Sequence, residues 1–246
     1  MIMKIKSFLS KLENFFFHIT PPFYLTAVIL GCLTVLPMLI SPYIDKKNDE
    51  YKISLMQETM RLNNLSLEIY EKNKTITDQQ TILMTDYALR QCSAKRLSSK
   101  ERIELASIIT EQAKLHNLDP LLIIALIQVE STFNPYAQSH KGAKGLMQLL
   151  PDTARYINKK TGQGMPENSN LFDTETNITL GTAYMEYLLN KTKGNLEYAL
   201  AAYNMGPANM FRAKRENRLP KAYSNKVLKE YSKLQKAVNA VYIAQN

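Results

Sequence analysis

Residues 120–130 read Pro-Leu-Leu-Ile-Ile-Ala-Leu-Ile-Gln-Val-Glu, an apolar helix that ends in a carboxylic acid. Glu130 lies three, four and seven residues after Ile127, Leu126 and Ile123, so it shares their face and points toward the core. An ionised carboxyl there costs several kcal/mol unless it is partnered, and such sites raise the pKa instead. A carboxyl that keeps its proton near neutral pH is what a general acid needs. The bland alternative is a helix end that frays outward into a salt bridge.

The next segment favours the acid. Residues 131–139 read Ser-Thr-Phe-Asn-Pro-Tyr-Ala-Gln-Ser, and residues 142–151 read Gly-Ala-Lys-Gly-Leu-Met-Gln-Leu-Leu-Pro. Turn residues and two glycines directly after a buried acid describe a cleft wall. Gly142 and Gly145 let backbone approach a ligand closely. Gln148 can hydrogen-bond an amide, and Met147 can line an apolar contact. Other chemistries have little support. Two Cys and the scattered His18, His116 and His140 make a poor metal site, and no phosphate loop, dinucleotide fingerprint or HExxH helix occurs.

At these residues the chain resembles the soluble-lytic-transglycosylase family of peptidoglycan enzymes, glycoside hydrolase family 23, relatives of goose-type lysozyme. The family pattern E-S-x-F-N-P-x-A-x-S falls on Glu130 to Ser139. The pattern G-A-x-G-L-M-Q-L-x-P-x-T-A falls on Gly142 to Ala154. The resemblance continues through Leu171 to Ile178, Leu180 to Tyr184, Ala199 to Pro207, and Tyr223 to Tyr231. It covers roughly residues 120–231 and none of 1–96.

The resemblance implies that Glu130 is the catalytic acid and base. It implies that Ser139 and Gln148 contact the sugar at the cleaved linkage, that Met147 lines the groove, and that Tyr203 and Asn204 face the acid and the reacting ring. Read without it, Tyr203 and Asn204 are core packing and a helix end, with Gly206-Pro207 as a stop signal. Leu150 stands where the family often has Met, and Met205 where it often has Ala or Gly. The implied reaction cleaves the β-1,4 bond from N-acetylmuramic acid to N-acetylglucosamine in glycan strands. It forms 1,6-anhydro ends and uses no metal or organic cofactor. A hydrolytic lysozyme would need a second carboxylate, and Asp152, Glu167, Asp173 and Glu175 fall in no matching site block. A non-catalytic wall-binding or secretion-apparatus scaffold is a further alternative, against which the joint presence of Glu130, Gln148, Tyr203 and Asn204 argues.

The elements that must position these residues are helical. Ser98 and Glu101 fit a capping box, followed by a helix with Ile103, Ala106, Ile109 or Thr110, and Ala113 on one face. Asp119-Pro120 fits an N-cap with Pro at the first helical position. Further helices are predicted over 151–160, 174–190, 196–203 and 221–240, with Asn195 capping the third of these. No stretch beyond residue 97 alternates as a strand. The expected fold is mainly α, a lysozyme-like helical catalytic domain at 97–246 behind one transmembrane helix and a helical stalk.

The front of the chain is different. No charge occurs between Glu13 and Asp45, and Phe23 to Ile40 is nearly all apolar, close to the roughly 20 residues that cross a bilayer. The expectation is a cytoplasmic or interfacial segment at 1–22 and an anchor at 23–44. Phe15, Phe16, Phe17 and Tyr43 form flanking belts, and Pro37 kinks the span without breaking it. Lys4, Lys6 and Lys11 favour an N-terminus inside and a catalytic domain in the periplasm or outside, although Lys46 and Lys47 follow the span. A lipoprotein anchored through Cys32, in Ile-Leu-Gly-Cys, and a cleaved signal are the alternatives. Residues 45–96 lack Gly and Pro, with Leu55, Leu62, Ile69, Ile76 and Leu83 at seven-residue spacing. The matching Glu58, Leu65, Lys72, Gln79 and Asp86 are mostly polar, so a stalk is favoured over a self-associating coil. The formal net charge of +9 suits acidic partners: anionic lipid, a cell-wall polymer or nucleic acid. With the domain outside, the expected partners are peptidoglycan, the cytoplasmic membrane and a cell-envelope machine, and not nucleic acid.

Overall fold

The computed structural model describes residues 21–93, 96–166 and 169–245. Most of the segment expected at 1–22, with Lys4, Lys6, Lys11 and Phe15 to Phe17, lies outside the described residues, as does Glu167. Eight helices are described: α1 (Pro21–Ser93), α2 (Ser99–Leu115), α3 (Pro120–Glu130), α4 (Pro151–Thr161), α5 (Thr174–Lys191), α6 (Leu196–Met205), α7 (Pro207–Arg215) and α8 (Ala222–Gln245). The described extended structure is two isolated bridges, Gln138 to Lys144 and Lys144 to Leu149, so the fold is mainly α as expected.

The chain divides into two compact units, 1–72 and 73–246. In the first, α1 carries an apolar window with mean hydropathy 2.0, none of it buried. Leu30, Leu33, Leu36 and Met38 face outward, as lipid-exposed side chains would. This helix is long and apolar enough to cross a membrane. Pro37 and Pro42 lie inside it without ending it.

The second unit takes in more of the chain than the boundary expected at 97. Ala88 and Leu89 belong to the core, and Thr85, Asp86 and Ser93 are also buried. Asp86, a polar mismatch in the heptad count, is the anchor here. Its carboxylate accepts from Arg102 Nε at 2.6 Å and Arg90 Nε at 2.9 Å. Lys114 reaches Asp78 at 2.7 Å on the same seam. Ile76 and Leu83, by contrast, remain exposed. The buried face of α2 is the expected one at Ala106, Ile109, Thr110 and Ala113 and differs only at its start. Arg102, Leu105, Ala106, Ile109 and Ala113 are inside while Ile103 is exposed, because Arg102 must reach Asp86.

The predicted caps form. Ser98 and Glu101 make the reciprocal capping box, Asp119 accepts from Leu121 N–H, and Asn195 accepts from Tyr198 N–H. Gly206-Pro207 ends the helix as expected, but a further helix that the sequence did not signal begins at once. Gly206 ends α6, and Pro207 occupies the first position of α7, a place where its missing N–H costs nothing.

The core centres on α3, whose Leu122 to Ile127 are all buried. Helix α8 packs along it and clasps both ends. Tyr231 Oη donates to Asp119 Oδ2 at 2.6 Å, and Tyr223 Oη donates to Glu130 Oε1. The two helices are therefore antiparallel, with the acid fixed at the far end of the clasp.

Asp86 and Arg102 have side chains only 9% and 8% exposed, so removing Asp86 leaves the Arg102 guanidinium buried without this partner. Asp86→Ala is expected to cost about 3–5 kcal/mol in chemical denaturation of the detergent-solubilised chain, with Asp86→Leu plus Arg102→Met recovering most of it.

Candidate active site

Glu130 is the last residue of α3, and the chain turns away from it abruptly. Thr132 and Phe133 both have positive φ, 49° and 61°, conformations that side chains with a Cβ rarely adopt. Burial of Phe133 in the core holds this turn and frees the acid from any helical continuation. Burial raises the Glu130 pKa above its ordinary 4.5, opposed by the Tyr223 hydrogen bond and the Lys226 charge. Tyr223 takes Oε1, and no described hydrogen bond involves Oε2.

The acid opens into a cleft of about 680 Å³. Its walls include Ser139, Gln148, Thr153, Tyr184, Tyr203 and Asn204 together with Glu130. Four of the five substrate-contact residues expected from the sequence are thus brought together around the acid. The fifth, Met147, is not among the described lining residues. Its side chain is fully buried against Gly181, where a Cβ would overlap it. What Met147 supplies is backbone: its carbonyl accepts from Tyr203 Oη at 2.8 Å, and its N–H donates to Asn177 Oδ1 at 2.7 Å.

Each polar group has a defined remaining capacity. Gln148 Nε2 donates to Ala137 O and Gly145 O, both at 2.9 Å. Two carbonyl partners fix which end is nitrogen, so Oε1 is left as an acceptor. Gln148 also has φ 49°, a strained setting of the kind that collects at functional sites. Ser139 Oγ accepts from Ala143 N–H at 3.1 Å and keeps its own proton for a ligand. The Tyr203 hydroxyl is spent on Met147, so the tyrosine presents its ring. That ring lies 5.3 Å from Tyr184, centroid to centroid. Burial and the nearby Glu130 charge raise the Tyr203 pKa, keeping the phenol neutral. Asn204 is exposed at the rim.

Sequence reasoning missed Tyr223, Tyr184 and Asn177 as site residues. Tyr223 and Tyr184 were visible only inside blocks of resemblance. Asn177 is buried and holds the cleft wall: its Nδ2 donates to Lys144 O at 2.9 Å and Leu171 O at 2.8 Å. Gly145 fits beside it with φ 79°, where any Cβ would overlap Leu171 and Asn177. Among the described residues lining the cleft, Glu130 is the sole acid. Asp152 bonds Arg155, and Asp173 caps α5 through Thr176 N–H.

Residues 107–226 match the family described as the Transglycosylase SLT domain. The chain is 40% identical over 114 residues to the membrane-bound lytic murein transglycosylase C of Sodalis glossinidius, covering 43% of this chain and 32% of that protein. The corresponding protein of Mannheimia succiniciproducens is 40% identical over 115 residues, with the same coverage. This chain thus spans about a third of the length of these relatives. Among solved structures, an inactive mutant of the lytic transglycosylase Slt of Pseudomonas aeruginosa aligns with 31% identity and a TM-score of 0.48. That alignment covers 55% of this chain and 24% of the other.

The Tyr223 bond favours the charged form of Glu130, so its loss should raise the acid's pKa further. In a carbon-13 NMR titration, the Glu130 carboxyl should titrate above 4.5, and in Tyr223→Phe at a still higher pH. The native fold then holds this proton more tightly than the unfolded chain. That contribution to stability is complete below 4.5 and is lost as pH rises through the native midpoint. A lower midpoint in Tyr223→Phe would contradict the assigned role of the bond.

Proposed function

We propose that this chain, which carries a transglycosylase SLT domain over residues 107–226, is a membrane-anchored lytic transglycosylase. It cleaves the β-1,4 bond between N-acetylmuramic acid and N-acetylglucosamine in peptidoglycan. The observation that carries the reading is one acid, Glu130, held at the end of an apolar helix in a cleft with no second carboxylate among its described lining residues.

Protonated Glu130 donates from Oε2 to the glycosidic oxygen, and the bond to the anomeric carbon breaks as positive charge develops there. Tyr223, bonded to Oε1, stabilises the carboxylate that results. The carboxylate then takes the proton of the muramyl 6-hydroxyl as that oxygen attacks the anomeric carbon, closing a 1,6-anhydro ring and restoring the acid. No water is consumed. The attacking hydroxyl is tethered to the reacting ring, an advantage that reaches about 7–11 kcal/mol in well-oriented cases. Gln148 Oε1 can accept from the N-acetyl N–H, and the Ser139 hydroxyl can donate to a substrate oxygen. Asn204 contributes at the rim, and the Tyr203 ring backs the reacting sugar. Met147 acts through Tyr203 rather than on the sugar.

The products test the chemistry. Muropeptides released from purified wall should be one water lighter than hydrolysed equivalents and should take up no label from heavy-oxygen water. Stoichiometric labelling would make the protein a lysozyme instead. Glu130→Gln should abolish release while the domain stays folded, since the amide cannot donate and then recover the proton.

The lysines before the span and the apolar run from Phe23 support an N-terminus in the cytoplasm and a catalytic domain outside the cytoplasmic membrane. A reporter fused after Asn246 should be active only outside the cytoplasm. Cys32→Ala should leave membrane attachment intact, and its release from the membrane would indicate a lipid anchor.

A further inference from the structure

We propose that Tyr156 and Tyr187 form an outlying sugar-stacking subsite, on which a further pyranose ring of the same glycan strand rests after leaving the cleft. The proposal rests on the cleft reading above and adds a determinant of strand length to it. Two helices carry the cleft wall outward in parallel. On α4, Thr153 lines the cleft and Tyr156 follows three residues later; on α5, Tyr184 lines it and Tyr187 follows three residues later. Residues so spaced are neighbours on one helix face.

The rings form a continuous series. Tyr203 and Tyr184 have centroids 5.3 Å apart, Tyr184 and Tyr187 stack at 6.4 Å, and Tyr187 meets Tyr156 edge-on at 5.7 Å. The series begins beside Glu130 and ends at the surface. Packing explains its inner members, since Tyr184 is buried. It does not explain Tyr156, which is 50% exposed.

The outer pair is held rigid. The Tyr156 and Tyr187 hydroxyls are 2.9 Å apart, and the Lys191 ammonium sits 5.3 Å from the centroid of Tyr187, anchoring that ring. Tyr156 is therefore the ring left to be covered. A fixed aromatic surface offers contact area at small conformational cost, which is why tyrosines dominate binding surfaces. A pyranose presents a flat face of C–H groups to such a ring and hydroxyls to the phenol oxygens. A cleft of about 680 Å³ holds only part of a long polymer, and the remaining sugars must leave across its rim.

The test uses the full chain in detergent and glycan strands freed of stem peptides and sorted by length. Tyr156→Ala should raise KM for long strands about two- to tenfold, with kcat unchanged and KM for the shortest cleavable strands unaltered. Tyr156→Phe, which keeps the ring and loses only its hydroxyl, should raise the long-strand KM less than Tyr156→Ala does. Tyr156→Leu, which preserves packing without an aromatic face, should behave like Tyr156→Ala. In a non-cleaving Glu130→Gln background, Tyr156→Ala should weaken binding of long N-acetylglucosamine oligomers and spare short ones. Wild-type KM at every length in Tyr156→Ala, or an equal rise at every length, would overturn the subsite while leaving the cleft reading intact. Absence of turnover by the wild type at any length would overturn both.

Discussion

The cleft depends on one buried amide. Asn177 on α5 accepts from Met147 N–H and donates to the carbonyls of Lys144 and Leu171. The segment between α3 and α4 has no regular ladder to consume its backbone groups, and buried ones left unpaired would each cost about 1–3 kcal/mol. Asn177 serves two of them, the Met147 N–H and the Lys144 carbonyl, and with the same side chain the Leu171 carbonyl beyond α4. Tyr203 serves a third group of that segment, the carbonyl of Met147. With Met147 held at both its N–H and its C=O, the next residue, Gln148, is fixed in a strained conformation with its amide aimed into the cleft. Gly145 must be glycine for the same reason, since the space for a Cβ is filled by Asn177 and Leu171. The wall is thus an irregular segment made rigid from behind by α5 and α6.

The opposite wall follows a different logic. An apolar helix that ends in a carboxyl sets burial against charge, and α8 moderates the conflict. Tyr223 gives the acid one good hydrogen bond without bringing a cation into contact. The Lys226 charge acts in the same direction. Burial is still the largest influence, so the proton is held more tightly than in water, as a donor to a leaving oxygen requires. The same helix closes on the start of α3 through Tyr231 and Asp119. Clamping both ends limits sliding of α3, so the acid stays in register with a loop more than ten residues further along the chain.

Much of this was legible in the residues. Local signals gave the helix starts, because Ser98, Asp119 and Asn195 act within a few residues of themselves. The acid was legible because its helix is apolar on the face it shares. Other features depend on distant partners. The Tyr223 to Glu130 bond spans 93 positions in sequence, and nothing near Tyr223 marks it as a partner for an acid. Asp86 looked like a defect in a heptad because its partner, Arg102, lies beyond the apparent end of the stalk. Met147 lay in a block of resemblance, which cannot distinguish a side chain that touches ligand from a backbone that holds another residue. Gly206-Pro207 marked the end of α6 but not the start of α7, because Gly-Pro punctuates a helix whether the chain then turns away or starts another helix.

The composition of the cleft also bears on why one acid can suffice. Its polar groups are mostly neutral: hydroxyls and amides, with the nearest phenols kept protonated by burial and by Glu130 itself. A second carboxylate here would raise the Glu130 pKa further by repulsion, or share its proton. Either would disturb a group that, in the reaction proposed above, gives and takes a proton within one turnover. A nucleophile carried by the substrate removes the need for that second charge, because the hydroxyl arrives already oriented and needs a base only as it attacks. Under the proposed reaction, the protein's task reduces to holding the sugar ring against one carboxyl oxygen. Backbone pinned by Asn177, rings stacked from Tyr203 to Tyr184, and an acid clamped at a helix end are suited to that task because none of them has to move.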